Sequence, residues 1–319
     1  MTHVSATYDR SAAWPSSFTG VIAAVSTPMQ ADLAIDTDRI PAYVEFLLAH
    51  GAGALMVAGT TGEFIALEPD ERVQLVRAFV RAVAGRVPVV AHVGHVDFRV
   101  ARRLAEAAAA DGADALAGIV PYFHRVTEGA LEARLVDLAR VARQLPFFVY
   151  DYPDATGNRI EPGVFRRLLD EPNIHGIKLS VTTWEEIEPF LSLDSEFLAV
   201  CGNDGLMERF ATSGGRAIVS GNAAALPDVV VAAWKGFRTS DSRLVSRARD
   251  LICSLVPLTL AGSADRLKEV LALRGMDIGR ARIVTYRPAD GDSGSIAAAL
   301  LSICAAAKDT GLLLGNRSI

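Results

Sequence analysis

The feature that most limits the possible folds is a regular alternation of short apolar runs with longer amphipathic stretches. The apolar runs have the length and the β-branched content of buried strands. They cover residues 18–25, 54–58, 87–93, 115–120, 146–150, 174–179, 197–201 and 216–220. The stretches between them, such as 38–49 and 70–83, place charged residues on one helical face and apolar residues on the other. Eight such units, spaced roughly 20 to 35 residues apart, predict an α/β fold, a closed (β/α)8 TIM barrel.

An open, doubly wound parallel sheet also alternates strands and helices, and it is the alternative fold. Its dinucleotide-binding fingerprint needs three glycines between a strand and a helix. Here Gly51 and Gly53 are followed by Met56 at the third glycine position, and they precede a strand. The sequence therefore favours the barrel.

The strand pattern stops near residue 240, which suggests three segments. They are a flexible N-terminal leader (1–17), the barrel (18–240) and a C-terminal helical region (241–319). Within the last segment, residues 246–260, 264–273 and 296–312 have helical patterns, separated by breaks that contain glycine or proline. We expect this region to pack against the barrel.

Composition and the N-terminal sequence exclude several classes of partner. The 319 residues carry 32 Lys+Arg and 37 Asp+Glu, a net charge of −5, whereas nucleic-acid binding requires clustered basic charge. The leader lacks the basic start and apolar core of a signal peptide. The apolar run at 21–25 is far shorter than the roughly 20 residues of a membrane helix. Three widely spaced cysteines form no disulfide framework. We therefore expect a cytoplasmic protein that binds neither nucleic acid nor membrane.

Lys178 is the most informative single residue, because it interrupts the apolar strand at 174–179. One face of a barrel strand points at the barrel axis, and barrel active sites lie at the carboxyl ends of the strands. A lysine on that face loses hydration, which favours the neutral amine that attacks a carbonyl carbon. The alternative is an ordinary lysine at a frayed strand end that extends into solvent. The residue pattern alone leaves both open.

Other strand ends carry further candidate groups. The turn at 59–62 contains Thr60 and Thr61 between glycines, so its N–H and hydroxyl groups could surround a carboxylate. A plain helix-capping turn is the alternative. Tyr150 ends the fifth strand and is either a proton carrier or a core residue with a solvated hydroxyl. Cys201 fits a small buried residue better than a nucleophile.

A metal site is a weaker alternative. His92, His95, Asp97 and His124 follow the third and fourth strands, where imidazole and carboxylate groups could bind zinc for a metal-dependent aldolase or hydrolase. Their spacing matches no metal-binding motif. We therefore expect no metal.

Three motifs in order along the chain carry a family resemblance: Gly59-Thr-Thr-Gly-Glu63, Tyr150-Asp-Tyr-Pro153 and Gly176-Ile-Lys178. In combination they resemble the dihydrodipicolinate synthase / N-acetylneuraminate lyase family, from about Phe18 to the C-terminus. The resemblance implies a (β/α)8 barrel with a C-terminal helical extension, a homotetramer or homodimer, and pyruvate chemistry through a lysine Schiff base. It implies no separate cofactor, because the covalent imine is the electron sink.

The resemblance also implies roles for individual residues. Lys178 forms the imine with the 2-keto carbon of pyruvate. Tyr150 carries protons to and from the substrate, and Thr60 orients its hydroxyl. Thr60 and Thr61 hold the substrate carboxylate, and Ile218 lines the pyruvyl end of the pocket.

Two departures from the family pattern point away from dihydrodipicolinate synthase itself. Ala155 stands where those enzymes usually carry an arginine that binds the aldehyde substrate's carboxylate, and a methyl group does not replace a bidentate guanidinium. Phe123 stands where they usually have a second tyrosine, which removes one hydroxyl from the proton relay. A third departure, Leu179, replaces a residue that is commonly polar in the family.

Other members of the family resemble this chain more closely. Segment 150–157 is similar to 2-keto-3-deoxygluconate aldolases, except that Asp151 replaces an asparagine. Segment 91–94 and Ser220 are similar to sialic acid lyases, although Gly205 stands where those lyases place a glutamate that binds the sugar. Asp204 and Ser220, at neighbouring strand ends, are expected to bind hydroxyl groups of a polyol aldehyde.

The sequence thus predicts a Schiff-base lyase that cleaves a 2-keto-3-deoxy sugar acid, or a related 2-keto acid, to pyruvate and an aldehyde. Three alternatives stay open. They are a Schiff-base dehydratase of a keto-deoxy sugar acid, a condensing enzyme like dihydrodipicolinate synthase, and a non-catalytic barrel that binds keto acids.

Overall fold

The computed structural model describes residue 15 and residues 18–193, 196–285 and 292–312. The predicted leader at 1–17 therefore lies outside the described residues, apart from Pro15. Eight parallel strands pair in sequence order, and β1 also pairs with β8, so the sheet closes into a barrel. The strands are β1 (Gly20–Ala24), β2 (Ala54–Val57), β3 (Val89–His92), β4 (Ala115–Ile119), β5 (Phe147–Asp151), β6 (Ile174–Leu179), β7 (Leu198–Cys201) and β8 (Ala217–Ser220). The predicted (β/α)8 barrel is confirmed.

Helices connect the strands and cover the outside of the barrel. They are α1 (Ile40–Ala49), α2 (Pro69–Val83), α3 (Phe98–Ala110), α4 (Glu128–Ala139), α5 (Pro153–Thr156), α6 (Pro162–Leu168), α7 (Glu188–Leu191), α8 (Met207–Thr212) and α9 (Pro227–Phe237). Across the described ranges, no helix combines the length and the apolarity that a membrane span requires.

Three further helices follow the barrel: α10 (Ser242–Leu258), α11 (Ala264–Leu273) and α12 (Asp292–Asp309). α10 begins earlier than its sequence pattern predicts, because Asp241 Oδ1 accepts a hydrogen bond from the Arg243 N–H at 2.9 Å and caps the first turn. The proposed boundary between residues 240 and 241 falls between α9 and α10.

Each strand alternates between two packing layers, since successive side chains point to opposite faces of a sheet. One set packs inside the barrel, and this barrel interior includes Ala54, Met56, Phe148, Tyr150, Val200 and Val219. The other set forms the helix layer between sheet and helices, which includes Leu55, Val57, Val149, Ile177, Cys201 and Ile218. The alternation therefore decides which side chains can reach a site at the barrel mouth.

Gly176 allows a close approach of strands just below the site. A Cβ at this position would lie 2.5 Å from the Phe148 ring and 2.6 Å from the Leu198 carbonyl oxygen, so a larger residue would displace its neighbours. Gly176 lies two residues before Lys178 on β6. Both therefore lie on the interior face of the strand.

Two buried ion pairs attach the C-terminal helices to the barrel. Lys268 Nζ on α11 lies 2.9 Å from Glu63 Oε1, and their side chains are 2% and 0% exposed. Arg274, directly after α11, places Nη1 2.8 Å from Asp228 Oδ1 on α9. Because an unpaired buried charge is strongly destabilising, each barrel carboxylate depends on a cation from the C-terminal helices.

Candidate active site

Lys178 and Tyr150 face each other inside the barrel. They are register partners on the neighbouring strands β6 and β5. Lys178 Nζ lies 3.9 Å from the centroid of the Tyr150 ring, a cation–π distance. Lys178 is 7% exposed and Tyr150 is 1% exposed. The amino group is therefore held at the carboxyl end of the sheet and does not extend into solvent.

The residues after β2 form a tight turn beside Tyr150, the threonine turn (residues 59–63). Thr60 Oγ1 lies 3.0 Å from Tyr150 Oη, so the two hydroxyls share a hydrogen bond. The Glu63 N–H closes the turn by donating to the Thr60 carbonyl oxygen at 2.9 Å. The structure thus brings Thr60, Tyr150 and Lys178 into one group.

Close packing fixes the place of the threonine turn. Thr27 Oγ1 donates a hydrogen bond to the Gly62 carbonyl oxygen at 2.6 Å. A Cβ on Gly221 would lie 2.9 Å from Thr61 Oγ1, so Thr61 sits directly against the loop after β8. The two threonine hydroxyls therefore have a defined position between the loops of β2 and β8.

Gly202, directly after β7, leaves the space that the Lys178 side chain occupies. A Cβ there would lie 3.2 Å from Lys178 Cε and would collide with Ser180 Oγ. The sequence-based prediction gives Gly202 no role. The available signal was a glycine at the end of an apolar strand, which often marks a close approach.

Aromatic side chains form one side of the barrel mouth, a group also missed from sequence. Tyr152 stacks on Tyr150 with ring centroids 6.2 Å apart, and His92 lies edge-on to Tyr150 at 5.9 Å. Phe64 lies 4.5 Å from His92 and 5.9 Å from Tyr122, centroid to centroid. Tyr122 and Tyr152 stay partly exposed, so this aromatic wall (Phe64, His92, Tyr122 and Tyr152) reaches solvent.

His92 is held by hydrogen bonds and charge within this wall. Its Nδ1 lies 2.9 Å from the Ala58 carbonyl oxygen. Burial, together with the positive charge of Arg72, holds the pKa of His92 well below its ordinary value, so the ring is neutral. His95 Nδ1 accepts a hydrogen bond from the Asp97 N–H at 3.0 Å. Among the residues that the structure describes, no group of three or more His, Cys, Asp or Glu could hold a metal ion.

Asp204 and Ser220 meet after β7 and β8, but they bind each other. Ser220 Oγ donates to Asp204 Oδ2 at 2.6 Å and accepts from the Ala223 N–H at 3.1 Å. Asn222 Nδ2 donates to the same carboxylate oxygen at 2.6 Å. Ser220 is 1% exposed and its hydroxyl is engaged by these two partners, so in this arrangement it supports Asp204. Its contact with a substrate hydroxyl stays a prediction.

Asp204 is buried within electrostatic reach of Lys178. Burial raises the pKa of its carboxyl group, whereas the hydrogen bonds from Ser220 and Asn222 and the charge of Lys178 act in the opposite direction. Asp204 is 8% exposed. Asp204 is therefore a buried carboxyl group held in place by two side-chain donors.

Ile218 does not face the barrel axis, which corrects the prediction that it lines the pocket. It packs in the helix layer, in register with Val21 of β1. Its neighbour Val219 belongs to the barrel interior, in register with Ile22. A shift of one residue along a strand exchanges the two faces. Val219 therefore occupies the interior position that was predicted for Ile218.

Three positions that depart from the family pattern lie in two places, on the surface and in the helix layer. Ala155 on α5 and Phe123 after β4 are exposed, and Phe123 has a left-handed φ of 75°. Leu179 and Cys201 face the helix layer, which accounts for the apolar residue after Lys178. Burial raises the pKa of the Cys201 thiol to about 12, so this cysteine is protonated and a poor nucleophile.

Comparison with known proteins decides the family. The model of the dihydrodipicolinate synthetase family matches residues 17–292, from the start of the barrel through α11. The chain belongs to this family. Its members are class I Schiff-base lyases or aldolases, and they use a covalent lysine–pyruvate Schiff base without an external cofactor. The predicted family and enzyme class are confirmed.

Curated family members align along most of the chain. The 4-hydroxy-tetrahydrodipicolinate synthase of Caldicellulosiruptor bescii is 29% identical over 83% of this chain and 90% of that protein. The 4-hydroxy-tetrahydrodipicolinate synthase of Methanoculleus marisnigri is 30% identical over 83% of this chain and 92% of that protein.

Solved structures of the family share the fold. YagE of E. coli K12, a prophage protein of the dihydrodipicolinic acid synthase family crystallised with pyruvate, has a TM-score of 0.83 and 25% identity over 90% of this chain and 99% of that chain. The sialic acid aldolase of Ruminococcus gnavus has a TM-score of 0.84 and 20% identity over 92% and 99%, which is a likeness of fold alone. Relatives with different names share this barrel fold, so the fold alone does not identify the substrate.

Asp151, the residue that replaces the asparagine of 2-keto-3-deoxygluconate aldolases, is a buried carboxyl group directly after Tyr150. Its Oδ1 accepts a hydrogen bond from the Ile160 N–H at 3.1 Å. Burial raises the pKa of Asp151 to about 7, although the Ile160 hydrogen bond and the charge of Arg159 oppose this effect. Asp151 therefore titrates in the neutral range beside a strand end of the site.

We expect the Asp151→Asn variant to gain stability over the parent protein as the pH rises. The pKa of Asp151 is about 7 in the folded state and 3.8 ordinarily, so ionisation destabilises the fold progressively between these two values. The gain in the free energy of unfolding should be near zero at about pH 4 and roughly 2 to 4 kcal/mol at about pH 8. Urea unfolding at a series of pH values measures it.

Asp97→Asn is the matched control for this measurement. Asp97 is partly exposed, and hydrogen bonds from Arg99 lower its pKa to about 2. Its difference from the parent protein should not grow between about pH 4 and pH 8. A gain in Asp151→Asn that is the same at every pH would contradict the assignment of a raised pKa to Asp151.

Proposed function

We propose that this chain is a Schiff-base lyase that makes or breaks a C–C bond between pyruvate and an aldehyde. The observation that carries the proposal is the position of Lys178 Nζ, 3.9 Å from the Tyr150 ring centroid inside the barrel. Thr60 Oγ1 lies 3.0 Å from the Tyr150 hydroxyl. An amine beside a hydrogen-bonded phenol supplies the nucleophile and the proton carrier that imine formation needs.

In the cleavage direction, the Lys178 amine attacks the 2-keto carbon. The former keto oxygen takes one proton from the attacking nitrogen and a second from Tyr150. Water leaves, and a protonated imine remains. The imine accepts electrons as the bond between C3 and C4 breaks, while Tyr150 takes the proton from the C4 hydroxyl and the aldehyde leaves. Tyr150 then gives this proton to C3 of the enamine. Water hydrolyses the resulting protonated imine to pyruvate and the free Lys178 amine, and the released proton returns to Tyr150.

The threonine turn is the proposed binding site for the carboxylate of the keto acid. Thr60 is exposed and Thr61 is partly exposed, so their hydroxyls are accessible at the mouth. Backbone N–H groups and hydroxyls in a turn suit a carboxylate. Val219, in the barrel interior, offers an apolar surface to the pyruvyl carbon chain.

The proposed substrate is a 2-keto-3-deoxy sugar acid. The curated relatives are named 4-hydroxy-tetrahydrodipicolinate synthase, but Ala155 provides no guanidinium for a second carboxylate. Asp204, fixed by Ser220 and Asn222, offers an acceptor for a substrate hydroxyl. Product analysis separates cleavage from dehydration, because dehydration leaves the carbon chain intact and releases no pyruvate.

Borohydride trapping tests the imine directly. After incubation with pyruvate, reduction should fix one pyruvate on Lys178, located by mass spectrometry of peptides, and Lys178→Ala should carry none. The buried Lys268 serves as an internal control, because its amino group binds Glu63 and should stay unlabelled. A label on another lysine in the parent protein would overturn the site. Pyruvate binding without any label would favour the non-catalytic barrel.

Tyr150→Phe should lower turnover by about 10²-fold or more, because it removes the proton carrier but keeps the ring beside Lys178. Steady-state kinetics on a substrate identified by product analysis measures this. Tyr43→Phe is the matched control, since it removes a buried hydroxyl that donates to the Ala224 carbonyl oxygen at 2.8 Å in the helix layer. A near-normal rate for Tyr150→Phe would exclude Tyr150 from the mechanism.

We propose a homodimer or homotetramer that uses the loops after β2, β3 and β4 as a contact surface. Ile65, Val96 and Phe123 are 66%, 52% and 86% exposed. They follow three consecutive parallel strands, so they lie at the same end of the barrel. Apolar side chains gathered at one surface are typical of a protein–protein contact.

Phe123→Asp should shift the protein towards smaller species, because it places a charge in the proposed contact. Sedimentation velocity at several micromolar concentrations measures the species present. Leu301→Asp on α12 is the control, since Leu301 is 73% exposed at another part of the surface. Dissociation by Leu301→Asp but not by Phe123→Asp would place the contact on α12 instead.

The proposed location is the cytoplasm. Cys201, Cys253 and Cys304 are free thiols, a state that a reducing compartment maintains.

A further inference from the structure

The threonine turn ends at Glu63, whose side chain extends out of the candidate active site. Glu63 is fully buried and has a φ of 60°, in the left-handed region that residues other than glycine rarely adopt. Such a conformation persists only where the surrounding contacts hold it. Since the Glu63 N–H binds the Thr60 carbonyl oxygen at 2.9 Å, the place of Thr60 is coupled to that of Glu63.

The C-terminal helical region supplies the contacts that hold Glu63. Lys268 Nζ donates to Glu63 Oε1 at 2.9 Å. The N–H groups of Arg282 and Ile283 donate to Oε2 at 2.7 and 2.8 Å. Lys268 Nζ also donates to the Arg280 carbonyl oxygen at 2.9 Å, which ties the same segment together. Both carboxylate oxygens of Glu63 are therefore bound by groups from the C-terminal region.

We propose that Lys268, acting through Glu63, is a positioning residue for the threonine turn. The inference rests on the proposed function, because the turn matters for catalysis only if it binds a keto acid beside Lys178. The two charges are shielded from water, with side chains 2% and 0% exposed, so their attraction resists displacement more than that of a surface pair.

The consequence of losing this pair is a displaced turn. A shift of the turn lengthens the 3.0 Å hydrogen bond from Thr60 to Tyr150 and moves the Thr61 hydroxyl relative to Lys178. A misplacement of about 1 Å at a reacting centre costs on the order of 10²-fold in rate. Loss of the pair should therefore weaken the use of pyruvate beyond any effect on folding.

A second buried ion pair provides a matched control. Asp228 and Arg274 lie 2.8 Å apart with side chains 7% and 3% exposed, and they too join the barrel to the C-terminal region. Arg274 also donates to the Ala225 carbonyl oxygen at 2.8 Å. This pair therefore attaches the C-terminal region at α9 and the loop after β8, and not at residues 59–63.

The test compares the double variants Glu63→Gln/Lys268→Met and Asp228→Asn/Arg274→Met, each of which neutralises one pair. Three quantities are measured: the Tm, hydrogen–deuterium exchange of the amides at 59–63, and the pyruvate concentration for half-maximal borohydride trapping. Both variants should lower the Tm. Only the first should speed exchange at 59–63 and raise the half-maximal pyruvate concentration by about tenfold or more.

If the double variant does not fold, Lys268→Arg is the milder second variant, because it keeps a positive charge beside Glu63 and changes only the position of its donors. Its effects on exchange and on pyruvate should be smaller but in the same direction. Equal effects of the two pairs on exchange and on pyruvate, or unchanged exchange at 59–63 after loss of the first pair, would overturn the proposal. If the parent protein is not trapped at all, the proposed function fails. The exchange data then still decide whether Lys268 holds the turn.

Discussion

The closure of a parallel sheet fixes the face on which every strand residue lies, and the site depends on this constraint. Because Tyr150 and Lys178 are in register on β5 and β6, their side chains must point to the barrel axis together. Gly176 and Gly202 have no side chains, so the space around β6 and the Lys178 side chain stays free of collisions. The Lys178 amino group has thus exchanged much of its water for an aromatic face, and the proposed imine chemistry requires this place beside Tyr150.

The barrel could be predicted from the repeat of strands and helices along the sequence. The lysine inside an apolar strand was also visible, but its pattern alone left a solvent-exposed strand end open, and the family resemblance was needed to place Lys178 in the site. Ile218 could not be placed in the same way, since its neighbour Val219 is equally apolar and only the register of β8 shows which one faces inwards. Because the side chains of a strand alternate between its two faces, an error of one residue in the register places a residue on the wrong face.

The meeting of Asp204 with Ser220 could also be predicted, because the ends of neighbouring strands lie side by side. Their mutual hydrogen bond could not, since it depends on the side-chain conformations and on the donors of Asn222 and Ala223. The barrel mouth therefore has an aromatic wall on one side and, elsewhere, the Asp204 carboxyl group, which is fixed by two donors. A group that is already held loses less conformational entropy on binding a ligand, so the fixed position of Asp204 favours its proposed role as the acceptor for a substrate hydroxyl.

Glu63 shows how far the site extends beyond the barrel. In the sequence it belongs to the same short motif as Thr60 and Thr61, yet its side chain binds Lys268, 205 residues further along the chain. No local pattern predicts such a pair. If the barrel were separated from the C-terminal helices, Glu63 and Asp228 would each lose a buried cation, and each loss is worth several kcal/mol. The proposed boundary between residues 240 and 241 therefore separates two kinds of architecture, and it does not separate two independently stable units. The barrel that carries Lys178 relies on the helices that follow it.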